Sequence, residues 1–99
     1  MSERLRIINI RRVILRGLDM VYPSGLLVDS VFKVVCEVDE SYDFSLLAKD
    51  IAYLRGKNYI MYIDEKIGGM NSFKDKTVKL TPEGLEIIQQ ITEDPALEI

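Results

Sequence analysis

The sequence predicts an α+β chain, and three observations carry that expectation. Apolar residues recur at helical spacing in separate segments of the first half. Two β-rich runs, Tyr59–Ile63 and Thr77–Leu80, bracket a connection with paired glycines. A cap, a proline and an acid then open one more helix at Thr81-Pro82-Glu83. At 99 residues the chain is close to the commonest size of one domain, so a single unit over residues 1–99 is expected, with 96–99 frayed.

In the first segment Ile7, Ile10, Ile14, Leu18 and Val21 mark one helical face. Ser2 is placed to cap it and Tyr22-Pro23-Ser24-Gly25 to end it, with Arg4, Arg11 and Arg12 pointing away from the stripe. The next stretch reads two ways. Leu27, Val31, Val35 and Val38 fit a helix capped by Ser24 or Asp29, while four valines and a phenylalanine also fit a strand. The favoured reading is a short extended piece at Gly25–Val28, then a helix over Asp29–Glu37.

A turn at Asp39–Tyr42 leads to Asp43, a good N-cap, with Tyr42 and Leu47 spaced as a hydrophobic staple. Leu47, Ile51 and Leu54 give the buried face of a third helix, which Arg55 closes and a left-handed Gly56 ends. Ser45, Lys49, Ala52 and Tyr53 fall on its polar face. After the hairpin, Leu80 and Leu85 form a second staple around the Thr81 cap, and Ile87, Ile88 and Ile91 supply the apolar face of the last helix.

Composition excludes several chemistries. The chain has no histidine, which removes the commonest zinc ligand and general base, so zinc sites, Ser-His-Asp triads and Cys-His pairs are not expected. Its one cysteine, Cys36, lies in an apolar run and reads as a small buried hydrophobe. Gly68-Gly69 lacks the Lys-Ser/Thr and the following helix of a phosphate loop, and the Asp39-Glu40 and Asp64-Glu65 pairs read as solubilising turns. Tyr59, Tyr62 and Phe73 read as hairpin packing rather than a base-stacking platform. No enzyme, cofactor or metal is expected. No apolar run approaches the roughly eighteen residues of a membrane span, and no signal peptide is visible, so the expectation is cytoplasmic.

Net charge is −3, but its distribution is uneven. Residues 1–20 balance at +3, 21–54 at −4, 55–80 at +3 and the last nineteen at −5. Positive charge is confined to the first helix and to the stretch from the third helix exit through the hairpin.

The order helix, short extended piece, helix, helix, hairpin, helix resembles a winged helix-turn-helix protein over nearly its full length. Two segments carry the likeness: Leu47-Ala48-Lys49-Asp50-Ile51-Ala52-Tyr53-Leu54-Arg55-Gly56-Lys57-Asn58-Tyr59-Ile60, similar to a recognition helix with its exit into the wing, and Val78-Lys79-Leu80-Thr81-Pro82-Glu83-Gly84, similar to the junction after the last wing strand. The arginine-rich first helix and Asp50-Ile51-Ala52-Tyr53-Leu54 also look like small winged-helix proteins of Mu-like prophages. The resemblance implies a three-helix core with a β-hairpin wing and a C-terminal helix. It further implies a third helix that enters the DNA major groove and a wing that touches backbone.

By position, Ser45, Lys49, Ala52 and Tyr53 become candidates for base edges. Arg55, Lys57, Lys66, Lys74 and Lys76 become candidates for phosphate. Against this, the third helix has few donors for base edges, and Asp43 and Asp50 would repel phosphate if exposed. The leading expectation is a homodimeric regulator of transcription on double-stranded DNA, with Ile87 and Ile91 in the dimer seam. The alternative is a winged helix used as a protein-interaction module or phage-related adaptor, which the net charge favours.

Overall fold

The computed structural model describes residues 3–63 and 72–93. Ser2, the Asp64-Glu65 pair, Lys66, Gly68-Gly69 and residues 96–99 lie outside them. Within the described residues the protein is α+β, with four α-helices and a small antiparallel sheet. Helix α1 spans Glu3–Val21, strand β1 Leu26–Leu27, α2 Val28–Val38 and α3 Phe44–Gly56. Strand β2 covers Ile60–Tyr62, β3 Thr77–Leu80 and α4 Pro82–Glu93, with a 3-10 turn at Phe73–Asp75. None of the described helices is long and apolar enough to cross a membrane.

The helical stripe read from the sequence faces inward. Ile14, Leu15 and Leu18 of α1 meet Val31 and Val35 of α2 and Leu47, Ile51 and Leu54 of α3 in one core. Cys36 is half-buried against that core and unpaired as a thiol. Three aromatic rings extend the core to one side. Phe44 packs edge-on against both Phe32 and Phe73, at centroid distances of 5.1 and 5.7 Å, which pins the 3-10 turn to α2 and the start of α3.

The extended piece before α2 joins the sheet, whose order is β1-β3-β2. Leu26 pairs with Val78 and Leu27 with Thr77, while Ile60 pairs with Leu80 and Met61 with Lys79. Alternation along β3 buries Val78 and Leu80 against the helices and leaves Lys79 on the outer face with Met61 and Leu27. The same pairing explains how α2 begins. Neither Ser24 nor Asp29 caps it. Leu27 is the N-cap residue and offers no side-chain bond, while the Val28 N–H donates to the Lys76 carbonyl (2.8 Å). Backbone from the hairpin thus fills a role usually given to a polar side chain.

Asp43 does cap α3, accepting from the Ser45 N–H at 3.0 Å, with Tyr42 and Leu47 both buried beside it. The exit differs from the expected one. Gly56 is the last residue of the helix, Lys57 still has right-handed helical angles, and the left-handed position falls to Asn58 (φ 63°). Asparagine tolerates that region better than most residues, so the chain gains one more turn residue before β2.

Thr81 links this exit to α4. Its hydroxyl accepts from the Gly84 N–H (3.0 Å), capping the helix, and donates to the Asn58 carbonyl. Its own N–H donates to the Tyr59 carbonyl at 3.0 Å. Gly84 is required for the same approach, because a Cβ there would lie 2.0 Å from the Tyr59 oxygen. Gly17 in α1 is the opposite case. A Cβ there would meet the Val34 side chain at an ordinary 3.5 Å.

The two glycines therefore predict changes of opposite sign. Gly84→Ala should destabilise by about 1–3 kcal/mol through forced overlap with backbone. Gly17→Ala should stabilise by about 0.5–1 kcal/mol, the helical preference of alanine over glycine. Urea denaturation of both variants checks the pair.

Candidate nucleic-acid interface

Helix α3 presents its outer side because the residues at 47, 51 and 54 anchor the inner one. Ser45, Lys49 and Ala52 are exposed there, spaced three and four residues apart on one face, with Arg55 one turn further on. Asp43 is exposed at the helix start.

Asp50 is not exposed, contrary to what its charge suggests. It is 7% accessible and forms the centre of a three-residue network. One oxygen accepts from the Tyr42 hydroxyl at 2.6 Å, and the other accepts from Nε of Arg11 at 3.3 Å. Burial and the Asp50 carboxylate together push the Tyr42 phenol far above the usual tyrosine range. Arg11 therefore turns toward α3 rather than away from the apolar stripe. Its side chain is 18% exposed, and its guanidinium lies 3.6 Å from the centroid of the Tyr53 ring.

A second network holds the turn before α3. Arg6 donates from Nε to Asp39 (2.6 Å) and from Nη2 to the Ser41 hydroxyl (3.0 Å), and Asp39 also accepts from the Ser41 backbone and hydroxyl. The hydrogen bond from Arg6, followed by those from Ser41, holds the Asp39 carboxyl below its ordinary value. Together the two networks fasten α1 to both ends of the α2–α3 turn.

Two aromatic rings gather the cations. Arg55, at the end of α3, lies 4.4 Å from the centroid of Tyr62, and Lys76, entering β3, lies 4.8 Å from the same ring. Lys57 lies 5.7 Å from the Tyr53 ring that Arg11 covers. The structure thus brings together Arg55 with Lys76, and Arg11 with Lys57. Lys74 is exposed on the 3-10 turn, whose Phe73 packs beside the start of α3, and joins neither stack. Lys66 lies outside the described residues.

Tyr53 differs from its expected role. Its ring is half-buried and covered by Arg11, so it organises cations and is not a free base-edge contact. Tyr59, Tyr62 and Phe73 all pack partly against the core, as hairpin packing requires. In α4, Ile87 is half-buried and Ile91 is only 2% exposed, so the chain's own core covers Ile91 and withholds it from a seam with a second copy. The role of Arg11 was missed, because helical spacing alone does not single out which of the five arginines of α1 turns toward α3. Its spacing onto a half-polar α3 carrying an aspartate and a tyrosine three residues apart was the available clue.

Between α1 and α3 a small groove of about 130 Å³ is lined by Arg11, Tyr42, Leu46, Lys49 and Asp50 among others. Among the described residues no group of His, Cys, Asp and Glu side chains could hold a metal ion. No protein-family model matches the chain, and neither a curated protein nor a solved structure is detectably similar to it.

The Tyr42–Asp50 bond predicts a pH-dependent stability. Tyr42→Phe should cost about 1.5–3 kcal/mol at neutral pH, the range for a hydrogen bond to a charged group. The folded state holds the Tyr42 proton more tightly than the unfolded chain does. Its contribution is therefore complete below the ordinary tyrosine pKa of about 10 and is lost as pH rises beyond it. Thermal melts of wild type and variant should converge above that pH, and a constant gap would contradict the assignment.

Proposed function

We propose that the chain is a winged helix-turn-helix protein that binds duplex DNA, with α3 in the major groove and the β2–β3 hairpin against neighbouring phosphates. The observation that supports it most is the Tyr62 ring, which Arg55 from the helix exit and Lys76 from the hairpin both approach, at 4.4 and 4.8 Å from its centroid. A cation from each of the two elements expected to touch DNA is thereby fixed relative to the other. The burial of Asp50 removes the acid that most argued against phosphate binding by α3. The element order α1-β1-α2-α3-β2-β3-α4 is the one on which the resemblance rests.

In this reading Ser45, Lys49 and Ala52 face base edges, with Lys49 the main donor. Arg55, Lys57 and Lys76 neutralise phosphates, and Lys66 and Lys74 extend that set along the hairpin. The proposed form is a homodimeric transcriptional regulator, since one domain of this size covers a small interface and a two-fold repeat doubles it. With Ile91 in the core, the apolar positions left for a seam on the terminal helices are Ile87 and the exposed Leu5 and Met20. The proposal includes no catalytic step, cofactor or metal.

A protein-interaction role without DNA is the second reading. It is favoured by Leu27, Met61 and Ile63, which are 41–47% exposed on the outer side of the sheet, and by the net charge of −3.

Fluorescence anisotropy with a labelled random-sequence duplex over a range of salt concentrations tests the proposal. The log of the association constant should fall linearly with the log of salt. Replacing Arg55 and Lys76 together by alanine should flatten the slope by about 1.8, at about 0.9 per phosphate neutralised. Lys49→Ala should change sequence preference more than slope. Binding of the double variant with an unchanged slope, or no binding by wild type at low salt, would favour the protein-interaction reading.

A further inference from the structure

We infer that Arg11 of α1 is a further phosphate-contacting residue of the DNA face, held ready for that contact by Asp50, Tyr42 and Tyr53. The inference rests on the DNA-binding reading of α3 and adds an element to it, since α1 belongs neither to the α3 face nor to the hairpin.

Arginine and carboxylate commonly meet through two parallel N–H···O bonds that occupy both carboxylate oxygens. Here Tyr42 occupies one Asp50 oxygen, at 2.6 Å, and Arg11 reaches the other through Nε alone. A guanidinium carries five N–H donors. Among the described residues the two Nη groups of Arg11 make no hydrogen bond. The Nη groups are not among the buried polar atoms, so their four N–H donors reach solvent and are open to a ligand, while the side chain as a whole is only 18% exposed. That arrangement suits a group that completes its bonding with a ligand.

The ligand chemistry follows from the surroundings. Lys49 lines the same groove as Arg11, and Lys57 approaches the same Tyr53 ring at 5.7 Å. Of the two acids lining the groove, Asp50 is buried and already shared between two donors, and the exposed Glu3 lies 3.9 Å from Nη1 of Arg6. With Arg6, Arg11 and Lys49 against Glu3 and the buried Asp50, cations outnumber acids in this groove, and the planar guanidinium of Arg11 matches the oxygens of a phosphodiester. The cation–π contact with Tyr53 (3.6 Å to the ring centroid) and the bond to Asp50 also fix the guanidinium before binding. Little side-chain freedom is then lost on contact, which favours affinity.

The experiment uses the full chain and the labelled duplex in a salt series. Arg11→Gln, confirmed as folded by its thermal melt, should flatten the slope by about 0.9 relative to wild type. Arg11→Lys should restore the wild-type slope, because charge rather than shape sets the number of counterions released. A folded Arg11→Gln variant with the wild-type slope overturns the inference and leaves the DNA-binding reading standing. Wild type that does not bind overturns both. Where Arg11→Gln does not fold, the Nε–H resonance of Arg11 in the wild-type protein supplies the readout. It should shift on addition of duplex, and a resonance unmoved at saturation overturns the inference.

Discussion

Asp50 sits in the second turn of α3 at 7% exposure, and the geometry of the helical half of the molecule depends on how that carboxylate is satisfied. A buried charge that loses a partner typically costs about 3–5 kcal/mol, so its neighbours are constrained in place. One neighbour, Tyr42, comes from the turn that precedes α3, and the other, Arg11, from α1. The network therefore sets how far α1 lies from α3 and which way α3 is rotated about its axis. That rotation directs Ser45, Lys49 and Ala52 to solvent. It also draws Arg11 across Tyr53 and gives α1 a place beside the outward face of α3.

The sheet half is held by a different device. Thr81 binds the Asn58 carbonyl through its hydroxyl and the Tyr59 carbonyl through its N–H, while capping α4. The turn that leaves α3 and the helix that ends the described residues are thus joined at one residue. With Asn58 in the left-handed region, β2 is directed antiparallel to β3, and the Tyr62 ring comes within 4.4 Å of Arg55 and 4.8 Å of Lys76. In the proposed function this junction, more than any single lysine, fixes the hairpin cations relative to α3.

Much of the fold was legible because local chemistry marked it. Asp43 and Thr81 define helix starts by accepting from backbone N–H groups within three residues, Pro82 fits the first helical position because it has no N–H to satisfy, and β3 coincides with the expected Thr77–Leu80. The misses share a physical cause, which is that each is decided by a partner distant in sequence. The start of α2 is satisfied by the Lys76 carbonyl and not by Ser24 or Asp29. Asp50 is buried because Arg11, thirty-nine residues earlier, reaches it, and a helical pattern does not carry that information. Tyr53 was read as free for a base because nothing local covers it. Ile91 was assigned to a seam, yet its face is taken up by the chain's own core. Gly56 was expected to end α3, and the packing of the Thr81 junction instead places the left-handed residue at Asn58.

The central claim is that one surface, built from α3, its exit and the hairpin and extended by α1, receives duplex DNA. Backbone amide NMR shifts of the isotopically labelled chain, followed as random-sequence duplex is added at low salt, test it most directly. The account predicts shifts concentrated at residues 45–57, around Tyr62 and Lys76, and near Arg11. Shifts confined to the outer sheet residues Leu27, Met61 and Ile63, or no shifts at any duplex concentration, would contradict it.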